Sequence, residues 1–360
     1  MAARPSAPAS FLSPIPSLDA RFAAEKLARA RRSALFRPDR AAAAERRSGA
    51  PWRERLFALV VSLGGSTLST FEYIKVSYEK CFAELPGWHQ AHLANQAAAP
   101  LQYRILSYAI PELLARAGVP IGIAYIAERG AFLCAANYVF FFLCRRWLGT
   151  LETLFACTCL TLFYALSSFP HIQPAEEINL FAFALGLWFV RERYFGALLA
   201  LVTVAAFNKE TVGFLIPFYF AWEARATGVA FALRRSAALA FALAAVYVGI
   251  RVGLGTDRPY LGGLWQIRHN ASMVVSDPFL GLFFVVPSLA PAAWIALRRR
   301  RIDPFFVLFL PSLLLFVAGH LAISRADEFR TYAPLALMTI PASILLLKES
   351  VRRRRAAGPA

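Results

Sequence analysis

The sequence predicts an all-α fold: a polytopic transmembrane helical bundle of about ten spans, within a range of eight to twelve, with interfacial helices in its first outer loop. Three observations carry this prediction. The 360 residues are 58% hydrophobic and 17% charged, whereas soluble domains average roughly 45–50% apolar and about 25% charged. Long apolar runs recur without the period-2 alternation of barrel strands. Basic residues sort to alternate ends of those runs. The 31 Phe and 7 Trp exclude a disordered chain, and 5 cysteines exclude a disulfide scaffold.

Residues 1–50, rich in Ala, Arg, Pro and Ser, read as a basic cytoplasmic tail. It is either disordered or, over Leu18–Phe36, an amphipathic helix lying on the membrane surface. Residues 51–347 form a single transmembrane domain, and 348–360 a second basic tail. A spanning helix needs about 20 apolar residues. Candidates lie near 55–74, 119–143, 151–169, 178–190, 195–207, 211–223, 236–254, 279–297, 304–323 and 331–347. The runs 178–190, 195–207 and 211–223 are short, and extend, tilt or re-enter the bilayer.

With both termini in the cytoplasm, alternation gives the inner side 28 of the 39 basic residues and the outer side 10, with Arg129 inside a span. This sorting explains the net charge of +17 through membrane orientation and anionic lipid, without nucleic acid. It also puts both long loops, 75–118 and 255–278, and all five histidines at the outer side, where a working site is expected.

The first outer loop carries Glu72, Glu79 and Glu84, then Trp88-His89-Gln90-Ala91-His92, then Gln102-Tyr103-Arg104. Residues 101–117 suit an interfacial helix. His89 and His92 with Glu84 have the residue types of a zinc site but lack the H-E-x-x-H pattern, so no metal is expected. No cofactor is expected either; a divalent metal has no specific motif here. The second outer turn holds His171 and the pair Glu176–Glu177, which point about 100° apart and form either an exposed cap or part of the site. Asn208-Lys209-Glu210-Thr211 separates two short runs; at membrane depth such charges mark function. Glu128–Arg129, inside a span, read as a structural ion pair. The last outer turn offers Arg325 and Arg330 as phosphate ligands, beside Asp327 and Glu328. Asn270-Ala271-Ser272 fits a glycosylation sequon.

The first-loop arrangement from Glu72 to Arg104, with Gln102-Tyr103-Arg104-Ile105-Leu106, Asn208-Lys209-Glu210-Thr211, and Glu328-Phe329-Arg330 followed by Pro334, resembles the GT-C superfamily of integral membrane glycosyltransferases. The resemblance covers residues 55–347 in layout. It implies a bacterial inner-membrane enzyme whose partners are membrane lipid and a lipid-linked sugar, a polyprenyl-phosphate donor presented on the non-cytoplasmic face. Many members carry Asp near the start of the first loop; this chain has only Glu72, Glu79 and Glu84 there. The resemblance implies one of these as the base, with Arg104, His171, Lys209, Glu210, Arg325 and Arg330 at the lipid phosphate or substrate. A multi-span transporter and a non-catalytic membrane assembly partner are the alternatives.

Overall fold

The structure is a computed structural model that describes residues 51–167, 175–256, 266–276, 289–324 and 328–356. The basic tail 1–50, His171, Arg325 and residues 257–265 and 277–278 of the outer loop lie outside the described residues, as do the side chains of 76–81, Glu79 among them. The chain divides into two units, Met1–Arg55 and Leu56–Ala360, and the second holds the helical bundle.

The secondary structure is helical throughout, with no strand among the described residues. The helices are α1 (Trp52–Glu79), α2 (Leu85–Leu93), α3 (Leu106–Arg116), α4 (Ile121–Cys144), α5 (Thr150–Ser167), α6 (Ala175–Glu192), α7 (Phe195–Ala206), α8 (Leu215–Thr227), α9 (Val229–Leu254), α10 (Ile267–Ser276), α11 (Pro304–Ile323) and α12 (Ala333–Ala356). A further helical stretch covers 289–297. Among the described residues, six helices are long and apolar enough to cross a bilayer: Trp52–Lys75, Ile121–Cys144, Thr150–Ser167, Val229–Leu254, Pro304–Ile323 and Arg330–Arg353. These helices make the chain an integral membrane protein, and six of the ten expected runs meet the length and apolarity of a span among the described residues.

The difference lies in the three short runs and in 279–297, much of which is outside the described residues. Helix α6 has 18 residues but carries Glu176, Glu177, Arg191 and Glu192. Helices α7 and α8 have 12 and 13 residues. At 1.5 Å per residue they reach only about 18–20 Å, short of a hydrocarbon core of about 30 Å. A 3-10 turn, Glu210–Phe214, joins them, with Asn208, Lys209 and Thr211 buried.

The packing follows the up-and-down order that charge sorting predicts. Helix α4 lies along α6, α8 along α9, and α5 along α12. At one end Arg146 pairs with Glu192 (2.7 Å), Lys348 with Glu152 (2.6 Å), and Asp303 receives the Trp147 indole N–H (2.9 Å). At the other end the Tyr103 hydroxyl donates to Gly255 O (2.9 Å), Leu106 N–H to Phe207 O (3.2 Å) and Gln266 N–H to Ala322 O (2.9 Å). Residues assigned to one side of the membrane by sequence therefore meet one another. Between the ends lies an aromatic core around Phe140, Phe183, Phe218, Phe305 and Phe316, all nearly inaccessible.

The first outer segment is more helical than expected. Helix α1 continues to Glu79 and passes through a π-helical turn, Lys80–Glu84, into α2. Residues 101–117 are not one interfacial helix: a 3-10 turn, Leu101–Tyr103, precedes the amphipathic α3. Gln102 pins this hinge, accepting from Ala97 N–H (3.0 Å) and donating to His92 O (3.1 Å).

Candidate functional site

A layer of charge is buried at the end of the bundle that holds the first loop. Its centre is the start of α6. Negative groups are favoured in the first turn of a helix, where backbone N–H groups are free. Glu176 and Glu177 occupy that turn and are 2% and 1% exposed. The 100° between them sends each to a different neighbour. Glu176 Oε1 accepts from Lys209 Nζ at 2.6 Å. Glu177 pairs with Arg129 of α4.

The Lys209 side is built by the break between α7 and α8. Asn208 Nδ2 donates to Ala175 O (2.7 Å), locking the break onto the α6 N-terminus. The Thr211 hydroxyl donates to Asn179 Oδ1 (3.0 Å), one turn further along. Two more cations act on Glu176 electrostatically: Arg104, after the Leu101–Tyr103 turn, and Arg330, in the 3-10 turn Phe329–Tyr332. Arg330 is 2% exposed, and its guanidinium makes no hydrogen bond among the described residues, although Glu328 Oε2 lies 3.3 Å away. His320 of α11 shares this field. Its ring stacks on Phe316 at 4.2 Å, and Nδ1–H donates to Phe316 O at 3.0 Å.

On the Arg129 side, the guanidinium sits over the Tyr73 ring (4.0 Å to its centroid) and near that of Tyr164 (5.3 Å). Glu128 does not pair with its neighbour. It is 3% exposed, and neither carboxylate oxygen has a hydrogen-bond partner among the described residues. Arg129 therefore forms a structural ion pair with a partner in the bundle, Glu177, and not with its sequence neighbour, because adjacent helical residues face different neighbours.

Helices α2 and α3 cover the layer. His89 is held at both nitrogens, Nδ1 by the Tyr125 hydroxyl (3.0 Å) and Nε2 by Glu112 Oε2 (2.9 Å), so it is a structural tie and not a free ligand. Hydrogen bonds from His89 and then Arg116 hold the Glu112 carboxyl below its usual range. Burial lowers the His92 pKa, with hydrogen bonding to the Trp88 carbonyl opposing it. Two narrow clefts run beneath this cover. One, of about 20 Å3, lies among Trp88, His92, Arg104, Tyr108 and Tyr125; the other, of about 10 Å3, among Tyr73, Leu85, Tyr125, Glu128, Arg129 and Glu177.

The structure therefore brings together three residues singled out from sequence, Arg104, Lys209 and Arg330. Glu210 opens the 3-10 turn and is half-buried. Glu72 and Glu84 are exposed on α1 and at the head of α2, with no ion pair among the described residues. The carboxylates inside the layer are instead Glu128, Glu176 and Glu177. The sequence marks the Glu176–Glu177 pair but not its depth; the available signal was Asn179 following on the same helix. Asn270 is buried and donates to Leu321 O and Ser324 O (both 2.8 Å), so its amide is engaged in the fold and the sequon reading is not supported. No group of three His, Cys, Asp or Glu side chains suited to a metal occurs among the described residues.

No family model, curated protein or solved structure matches this chain.

Proposed function

We propose that this protein transfers a sugar from a polyprenyl-phosphate donor, as an integral membrane glycosyltransferase working at the non-cytoplasmic face of a bacterial inner membrane. The observation that carries this reading is the gathering of Arg104, Lys209 and Arg330 from three distant segments around Glu176 at one end of an apolar bundle. Glu176 and Glu328 lie beside Lys209 and Arg330, and Glu210 acts on Lys209 as well. Buried cations converging at the end of an apolar bundle suit an anionic headgroup, and a polyprenyl phosphate supplies one on a tail that dissolves among helices. Arginine suits phosphate oxygens.

In this reading the bond from the anomeric carbon to the phosphate oxygen breaks as the acceptor oxygen attacks. The acceptor proton passes to a first-loop carboxylate, Glu79 or Glu84, with Glu72 as the third candidate. Negative charge developing on the departing phosphate is stabilised by Arg104, Lys209 and Arg330. Both termini lie in the cytoplasm, and the Glu176 end faces outward. Lipid extracted from the purified full-length protein is expected to contain polyprenyl phosphate, and to lose it in Arg330→Met. Alanine at Glu72, Glu79 and Glu84, assayed singly for glycolipid transfer, tests the base; full activity in all three removes it.

One observation favours a transporter instead: Lys209 sits where α7 and α8 interrupt one another, and broken helices line many transport sites. Counterflow of a phosphorylated solute in proteoliposomes, without glycolipid transfer, would select that reading.

A further inference from the structure

The charged layer has a second end whose balance is opposite. The cleft beneath Leu85 is lined by Glu128 and Arg129 of α4, Glu177 of α6, Tyr73 of α1 and Tyr125. Two carboxylates there face one guanidinium. Glu128 Oε1 and Oε2 and Glu177 Oε2 are buried and make no hydrogen bond among the described residues, although the Tyr164 hydroxyl faces Glu177. A buried ionised carboxylate without compensation is among the costliest groups a fold can hold.

The surrounding groups do not supply the missing charge. Arg129 is committed to Glu177 and lies between the Tyr73 and Tyr164 rings. The Tyr125 hydroxyl engages His89 Nδ1, and His89 Nε2 engages Glu112. Arg129 Nε and Nη2 are themselves without hydrogen bonds, so a water could join them to Glu128. Water would satisfy polar atoms, but with both glutamates ionised it would leave a net negative charge. The cleft's free volume, about 10 Å3, suits one body the size of water. An organic cation is too large. A sodium ion, which takes carboxylate, hydroxyl and water oxygens, matches the space, the donors and the sign.

We propose that the Glu128–Glu177 cleft is a binding site for a monovalent cation of sodium's size, coordinated by these buried carboxylate oxygens of the two glutamates. The site stands apart from the Arg104–Lys209–Arg330 end and does not depend on the sugar-transfer reading.

Thermal unfolding of the full-length protein in detergent at pH 7.5 tests it, with sodium chloride exchanged for choline chloride at constant ionic strength. Saturable stabilisation by sodium is expected, raising Tm by about 2–4 °C for each kcal/mol of binding linkage. Glu128→Gln removes the negative charge while keeping the shape. It is expected to match or exceed wild-type Tm in choline and to ignore sodium. Equal Tm in the two salts for wild type overturns the site, as does a sodium response surviving in Glu128→Gln. Stabilisation by lower pH with no sodium response also overturns it, since Glu128 would then carry a proton. A sodium-minus-choline infrared difference spectrum of wild type needs no variant. A shifted ionised-carboxylate band is expected, and a flat difference spectrum excludes the site even if Glu128→Gln does not fold. Co-purified polyprenyl phosphate is measured separately, so either conclusion can fail alone.

Discussion

Lys209 Nζ lies 2.6 Å from Glu176 Oε1, both side chains almost wholly buried, and this contact ties the break between α7 and α8 to the first turn of α6. Removing one partner leaves an uncompensated charge among apolar helices, whereas removing both leaves only altered packing. Lys209→Met and Glu176→Gln are each expected to lose about 3–5 kcal/mol of stability. The double variant should recover more than half of the summed loss. A double-mutant cycle on chemical unfolding in detergent measures the coupling; additive losses would mean the pair is not coupled.

Asp303 does three things at the opposite end. One oxygen caps α11 by accepting Phe305 N–H at 2.8 Å, and the other accepts the Trp147 indole N–H at 2.9 Å and lies 3.5 Å from Arg191. Asp303→Ala should cost about 1–2 kcal/mol, the usual loss for an N-cap, with the indole contact adding to it. Trp147 fluorescence should shift in the same variant, and Asp303→Asn should restore most of the stability.

Gly228 joins α8 to α9 in a single residue at φ 93° and ψ 158°. That region is closed to residues with a Cβ. Gly228→Ala is expected to lose about 1–3 kcal/mol. Hydrogen exchange should quicken first around 224–232 while the α4–α6 pair keeps its protection.

The cover formed by α2 and α3 should loosen as pH falls. Burial holds the His92 pKa below its ordinary 6.5, so the unfolded chain takes up a proton before the folded one does. Stability from this group is present above pH 6.5 and drains away as pH drops through and below that value. Glu112, also depressed, acts in the same direction, with its contribution fading below the ordinary 4.5. Exchange protection over 85–116 should therefore weaken between pH 7.5 and 5.5, and His92→Gln should flatten that first step.

Much of this architecture was readable from residue order. The apolar runs marked the long helices, and basic turns such as Arg145–Arg146 and Arg298–Arg301 indicated which ends share a side. Arg104, Lys209 and Arg330 stood out as cations of the outer loops and turns, Lys209 beside Glu210 between two short apolar runs and Arg330 in a charged turn. What could not be read was pairing. Glu128 and Arg129 are neighbours in sequence, and nothing local reveals that Arg129 reaches Glu177, 48 residues on. Glu176 and Glu177 have the composition of a solvated cap; only the packing of α4 and the α7–α8 break against the α6 N-terminus buries them. The shortness of the runs 195–207 and 211–223 was visible in the sequence, and α7 and α8 keep it at 12 and 13 residues.

The break between α7 and α8 bears on biogenesis. Neither half-helix is long enough to be recognised by the insertion machinery by itself, and Lys209 opposes partition of the two together. Glu176 leaves the ribosome before Lys209, so the counter-charge is already positioned when the lysine arrives. Residues 195–227 are then expected to enter the bilayer by docking on α6, and a chain lacking that glutamate to stall with this segment exposed to the quality-control proteases.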